Sequence, residues 1–200
     1  MLAVSKTVDV EGARAAYGAG ARAFGENRPD ELIRKAEALL DASWHFIGNI
    51  QSRRIKDIVA HADLIHSLYQ EKHARKISDE AAALDKVQDV LIEVNVSGEA
   101  SKSGVAPDAA AELVRAIASL PHLRSRGLMT MAPQGDPHMA RVCFDRLAAL
   151  HGDIKSQLSA EQARAFDQIS AGMSEDWEEA IAAGSTIVRI GRAIFSEEFA

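Results

Sequence analysis

The sequence predicts an α/β protein built as a (β/α)8 TIM barrel in a single domain spanning residues 1–200. Two observations lead there. Short apolar or β-branched runs recur along the chain, several ending in Gly, Asn or Ser, and helical patterns lie between them. This alternation marks parallel strands joined by helical crossovers, and eight runs is the barrel count. An open doubly wound sheet is the competing arrangement, but no Gly-x-Gly-x-x-Gly turn follows the first run.

The first strand is expected over Leu2–Lys6, an apolar run ending in one amine. Helix Val10–Ala19 opens after Asp9, and strand Ala23–Glu26 follows. Helix Pro29–Leu40 has proline in its first turn, where the missing N–H has no helical partner to lose. Strands Trp44–Gly48 and Leu64–Leu68 precede helices Arg53–Ala60 and Gln70–Leu84. Strand Val90–Val96 leads to helix Pro107–Leu120, again opened by proline. Strand Arg126–Met131 passes through a Pro-, Gly- and Asp-bearing loop, Ala132–Pro137, into helix His138–Ser156. Strand Phe166–Ser170 is followed by helix Ser174–Ala182, with Ser174 as cap ahead of Glu175 and Asp176. Thr186–Ile190 is the eighth strand. The chain begins directly in a strand, so the barrel is expected to lack an N-terminal helix covering its bottom.

With 47% hydrophobic residues the chain has the composition of an ordinary globular protein. Its one cysteine, Cys143, rules out an intrachain disulfide and a cysteine metal cluster, and reads as a small apolar residue on a helix face. The net charge of −6 and 5% aromatic content argue against a nucleic-acid partner. No apolar run nears the roughly 18 residues of a membrane span, and no secretory signal opens the chain. A cytoplasmic protein without a membrane partner is expected.

Barrels of this class keep their chemistry at the carboxyl ends of strands and in the loops after them. Those positions hold Lys6, Gly25-Glu26-Asn27, Gly48-Asn49, Ser67, Asn95, Thr130, Gly172-Met173-Ser174 and Arg189-Ile190-Gly191-Arg192. Carboxylate pairs for glycoside hydrolysis and metal-ligand spacings are missing. A lysine amine shielded from water forms Schiff bases with aldehydes, although a solvated lysine fits the same local pattern. The turn at Gly172–Ser174 and the turn at Gly191–Arg192 offer backbone N–H groups to an anion. Either turn alone is an ordinary tight turn. Together, opposite Lys6, they point to a phosphorylated ligand carrying an aldehyde. By strand parity an inward Lys6 brings Val4 and Leu2 inward, and an inward Arg189 brings Ile187 and Gly191. A buried arginine needs an acceptor, which a ligand's aromatic ring nitrogen would supply.

With these residues in place the chain resembles the pyridoxal-phosphate homeostasis protein family, stand-alone barrels similar to the N-terminal domain of alanine racemase. The matching stretches are Leu2–Thr7, Phe24–Asn27, Trp44–Gly48 with Gln51-Ser52, Val94–Glu99 with Ser101–Gly104, Arg126–Met129, Gly172–Ser174 and Val188–Gly191. The resemblance implies that Lys6 holds pyridoxal 5'-phosphate as an internal aldimine. It implies phosphate contacts from Met173, Ser174, Gly191 and Arg192, and places Arg189 at the pyridine nitrogen. Asn27 and Asn49 would lie near the ring, Lys102 in a loop near the mouth, and His45 on an inner strand face as a satisfied core histidine. Some positions depart from the family pattern. Family members carry a helix ahead of the Lys6 strand, and Asn49 stands where histidine is common. Arg53-Arg54 stands for Asn-Lys, Ala171 for methionine, and Ser196 for glycine.

The function implied is binding and homeostasis of pyridoxal phosphate, with pyridoxal-phosphate-dependent apoenzymes as further partners and a monomer or weak dimer as the expected state. Two-base racemisation uses a group from a separate C-terminal domain, and this chain stops soon after the eighth strand. An arginine at the pyridine nitrogen also weakens the ring as an electron sink. A non-enzymatic carrier is therefore expected. The alternatives are a fold-type-III amino-acid racemase with weak one-base activity and a Schiff-base aldolase on the same barrel.

Overall fold

The computed structural model describes residues 1–99 and 102–196. Among these, the strands are β1 (Leu2–Val4), β2 (Ala23–Glu26), β3 (Ser43–Phe46), β4 (Leu64–Leu68), β5 (Gln88–Glu93), β6 (Leu123–Met129), β7 (Gln168–Ser170) and β8 (Arg189–Ile190). The helices are α1 (Val10–Gly18), α2 (Pro29–Ala38), α3 (Ile55–His61), α4 (Glu71–Ala83), α5 (Pro107–Ala118), α6 (Pro137–Ser156), α7 (Ala160–Ala165), α8 (Trp177–Ala182) and α9 (Arg192–Phe195). All the strand pairings are parallel, in the order β7-β6-β5-β4-β3-β2-β1-β8. The residues ahead of β8 close the ring. Ile187 bridges Ser170, and the Thr186 and Ile187 N–H groups both donate to the Ile169 carbonyl, at 2.9 and 3.0 Å. The fold is a (β/α)8 barrel.

Local chemistry starts the helices where expected. Asp9 accepts the Gly12 N–H at 2.9 Å to cap α1, and prolines open α2 and α5. Two short helices escape the sequence reading. One of them, α7, starts on a capping box between Ser159 and Gln162. The segment expected as one helix from Arg53 is a 3-10 turn, Ser52–Arg54, running into α3.

The strands stop short at the barrel mouth. The strand expected to reach Lys6 ends at Val4, because the Val8 N–H turns back to the Ser5 carbonyl at 3.1 Å. The strand expected over Thr186–Ile190 keeps only Arg189–Ile190 as ladder, since the Arg189 N–H is drawn to the Gly172 carbonyl at 2.9 Å. The helix expected from Ser174 begins instead at Trp177. Met173 N–H donates to Asp176 Oδ1 at 2.6 Å and Asp176 N–H to the Met173 carbonyl at 3.2 Å, so residues 173–176 form a turn ahead of it.

The core has two layers. Between strands and helices lie Phe24, Trp44, Phe46, Ile65, Leu68, Leu128 and Phe166, with the Phe24 and Trp44 rings stacked at 5.2 Å. Inside the ring a separate cluster joins Leu64, Leu91 and Met129, with Ile187 against it. Pairing between β4 and β5 shifts register between Ile65 and Leu68. That irregularity turns Leu68 outward although Leu64 points in, so simple alternation fails along β4. Cys143 is buried on α6, and burial pushes its thiol up. No helix among the described residues is long and apolar enough to cross a membrane.

Candidate binding site at the barrel mouth

The carboxyl ends of the strands surround a cavity of about 390 Å³, within the usual range for small-molecule sites. Its lining includes Lys6, Asn27, Met173, Ser174, Arg189, Gly191 and Arg192. These residues come from both ends of the chain because β1 pairs with β8 and the residues before β8 pair with β7. Asn49 is not on the lining; it is exposed one residue beyond Gly48. Gly48 itself is forced to be glycine, since a Cβ there would sit 2.1 Å from the Asn27 carbonyl oxygen. That close approach draws the strand ends together.

Lys6 stands in the turn after β1 and is exposed, the solvated one of the two environments its strand-end position allowed. The turn lifts the amine to the rim. Its backbone is nonetheless anchored from beneath by a buried polar cluster. The Ser5 hydroxyl donates to Glu26 Oε1 at 2.6 Å, and Lys35 Nζ donates to the same oxygen at 2.7 Å and to the Ser5 carbonyl at 2.8 Å. Glu26 precedes Asn27, so one cluster on the outer face of β1 and β2 fixes two rim positions.

Across the mouth, the Ala193 N–H reaches the Ser174 hydroxyl at 3.3 Å, joining the turn after β7 to the turn after β8. A hydroxyl held by so long a bond can rotate toward an anion. Met173 N–H is committed to Asp176, and the Arg192 guanidinium pairs with Glu175 at 2.6 Å over the mouth. Arg189 forms the floor. It is buried, donating to the Ser170 hydroxyl at 2.8 Å and to the Thr130 carbonyl at 3.0 Å. Desolvation brings it down to about 10, so it stays charged at neutral pH, with Glu93 and Asp176 as the opposing charges. Glu93 is pushed up to about 7 by burial, against the pull of Arg189. Burial likewise raises Asp176, against the Met173 hydrogen bond and Arg189.

Val4, expected inward by strand parity, and Gly48 also line the cavity, and Ile47, Met129, Met131, Gln134 and Glu175, which the sequence reading did not place there, complete the lining. Below it, Ser170 links Arg189 to His66 and His45 on the inner face. The signal for His66 was its parity with Leu64, masked by the reading that put Ser67 at the strand end. Ser67 instead turns away to donate to the Gly48 carbonyl. Lys102 is paired with Glu99 at 2.8 Å and reaches the carbonyl of Met131 at 3.5 Å, beside the cavity. Ser101 of the Ser101–Gly104 motif lies outside the described residues. No group of acidic, His or Cys side chains among the described residues is arranged to hold a metal.

Fold and pocket together define a barrel of the alanine racemase N-terminal domain class, whose family model matches residues 2–198. Within that class the chain belongs to the pyridoxal phosphate homeostasis protein family. It is 42% identical over 200 residues to the pyridoxal phosphate homeostasis protein of Aquifex aeolicus, covering 98% of this chain and 86% of that one. The Escherichia coli K12 protein of the same name is 38% identical over 201 residues, with 98% and 84% covered. Among solved structures, PipY of Synechococcus elongatus with pyridoxal phosphate bound superposes with a TM-score of 0.88 at 31% identity, covering 98% of this chain and 92% of that one. An alanine racemase of Clostridium difficile shares the fold alone, at 14% identity and a TM-score of 0.77, over 96% of this chain and 51% of that one.

Proposed function

We propose that this protein binds pyridoxal 5'-phosphate through Lys6 and serves as its carrier rather than as an enzyme acting on amino acids. One observation carries the reading: Lys6, Arg189 and the Ser174 and Gly191 turns line a single cavity, in a chain whose relatives are named for that cofactor. Pyridoxal phosphate brings an aldehyde that condenses with a lysine amine, forming a C=N bond and releasing water. Lys6 is the lining amine placed for that tether, at an exposed rim where incoming aldehyde meets it. The Ser174 hydroxyl and the N–H groups of Gly191 and Arg192 would take the phosphate. Arg189 would face the ring nitrogen from the floor, and Asn27 would flank the ring.

The same residues favour holding over turnover. A guanidinium only donates hydrogen bonds, so a ring nitrogen facing Arg189 accepts one and stays unprotonated. An unprotonated ring draws electrons weakly, which disfavours carbanion chemistry. The carboxylate on the cavity lining, Glu175, is tied to Arg192. A cytosolic role in buffering free aldehyde and passing the cofactor to apoenzymes follows from such a reversible tether.

The test is spectroscopic. Purified protein incubated with pyridoxal phosphate should show a visible absorption band that borohydride removes, and Lys6→Ala should lack it. A wild-type protein that stays colourless overturns the proposal. Incubation with single-enantiomer amino acids in deuterated water should leave Cα unexchanged; steady turnover with exchange would establish a racemase instead.

A further inference from the structure

We propose that Ser170, His66 and His45 form a directed hydrogen-bond chain through the bore of the barrel, positioning Arg189 against the ligand cavity. The links are Arg189 to Ser170 Oγ at 2.8 Å, Ser170 Oγ to His66 Nδ1 at 3.0 Å, and His66 Nε2 to His45 Nδ1 at 3.0 Å. His66 and Ser170 are wholly buried, and the two imidazole rings lie 5.1 Å apart. None of these three residues lines the cavity.

Arginine sets the direction of every bond. It has N–H donors and no acceptor, so the Ser170 oxygen must accept from it. Ser170 is buried and its oxygen bonds only Arg189 and His66, so the hydroxyl hydrogen finds an acceptor only where His66 Nδ1 is the bare nitrogen. The proton of His66 therefore sits on Nε2 and is given to His45 Nδ1, leaving the His45 proton on its own Nε2. A permanent cation at one end thus dictates the tautomers of two histidines at the other.

The electrostatics agree with neutral rings. Burial pushes His66 well below the ordinary histidine range, with His45 and the Arg189 charge acting the same way. Burial brings His45 to about 4, with the N-terminal amine lowering it and Asp63 opposing. A proton added to His66 Nδ1 would reverse this link, making Ser170 Oγ accept from both neighbours and leaving the buried hydroxyl hydrogen without an acceptor. The chain is consequently a fixed brace, not a proton path. With the Thr130 carbonyl as a second anchor, it fixes the plane of the guanidinium and so the direction of the donors that remain for the cavity.

The function of the brace rests on the pyridoxal phosphate reading, but its existence does not, and the experiment separates the two. In ¹⁵N NMR of the protein without cofactor, His66 and His45 should both be neutral at pH 7 with protons on Nε2. Finding His66 protonated at Nδ1, or charged, overturns the chain whatever the cavity binds. With pyridoxal phosphate added, His66→Leu and Ser170→Ala should shift the visible band and weaken binding about tenfold, the size of a lost hydrogen bond to a charged group. His66→Asn, whose amide oxygen can stand in for Nδ1, should restore both. His66→Leu with unchanged band and affinity would sink the positioning role. If His66→Leu does not fold, the NMR result and Ser170→Ala decide. A wild-type protein that fails to bind pyridoxal phosphate refutes the functional reading, while the NMR result still judges the chain.

Discussion

Substituting Lys35 by methionine removes the cation from a sealed ion pair, and the structure indicates how large the loss should be. The side chains of Lys35 and Glu26 are both 0% exposed, with Nζ and Oε1 2.7 Å apart. In Lys35→Met the Glu26 carboxylate keeps only the Ser5 hydroxyl, since its Oε2 already has no hydrogen-bond partner among the described residues. An uncompensated buried charge of this kind costs about 3–5 kcal/mol. For a chain of this size that lowers the melting temperature by roughly 6–20 °C. Glu26→Gln should cost less, because Lys35 retains the Ser5 carbonyl and has Glu31 at 3.5 Å. The double change Glu26→Leu with Lys35→Met removes both charges and leaves only the Ser5 hydroxyl unpartnered, since the Ser5 carbonyl keeps the Val8 N–H, a loss of about 1–3 kcal/mol. It should therefore be more stable than Lys35→Met alone. Urea unfolding of wild type, Lys35→Met, Glu26→Leu and the double variant, followed by circular dichroism, measures the cycle, with Glu26→Gln run beside it. A Lys35→Met protein within 1 kcal/mol of wild type, or a double variant whose loss equals the sum of the single losses, would refute the reasoning.

Glu93 makes stability depend on pH with an unusual sign. Its folded-state value, pushed up to about 7, exceeds the ordinary 4.5, so the native state holds the proton longer than the unfolded chain. Stability from this group is full below about pH 4.5, falls as pH rises through that window, and levels off above about 7, a loss on the order of 3 kcal/mol. His45 and His151, each brought to about 4 by burial, act oppositely: stability present above 6.5 is lost as pH falls toward 4. Glu93→Gln should thus be the more stable protein at pH 8, and the difference from wild type should shrink steadily on acidification; parallel stability curves would be the contrary result. Gly48→Ala drives a methyl against the Asn27 carbonyl, so it should lower stability by at least about 1–3 kcal/mol and weaken pyridoxal phosphate binding, read by calorimetry and titration of the visible band. Gly172→Ala places a side chain at φ +91° and 2.5 Å from the Ala180 Cβ, and should cost about 1–3 kcal/mol in urea unfolding.

Much of the site was legible because its elements are local. Lys6 follows an apolar strand, Arg189 sits within one, and the Gly172 and Gly191 turns announce themselves by composition. Strand parity placed Ile187 inside correctly, and the inner cluster with Leu64, Leu91 and Met129 bears that out. On β4 the sequence reading took Ser67 as the strand-end residue facing the site, whereas His66 shares the inner face of Leu64 and the register shift after Ile65 turns Leu68 outward. Helix α8 was expected too early because Ser174 has the chemistry of a cap. Asp176 competes successfully, holding the Met173 N–H in a preceding turn.

The sequence alone was enough to establish the eightfold alternation and the amine and arginine on which the proposed function depends, since each is written in short-range patterns of apolar spacing and turn residues, and the ordered set of motifs carried the resemblance to the family. Only the tertiary structure decided that Lys6 stands exposed at the rim while Asn49 falls outside the cavity. It also decided that Ser5, Glu26 and Lys35 share one buried cluster, and that His45, His66, Ser170 and Arg189 align through the bore. Those contacts join residues as far apart as His66 and Ser170, separated by 104 positions. Their partners are chosen by barrel closure and strand register, which no local pattern encodes.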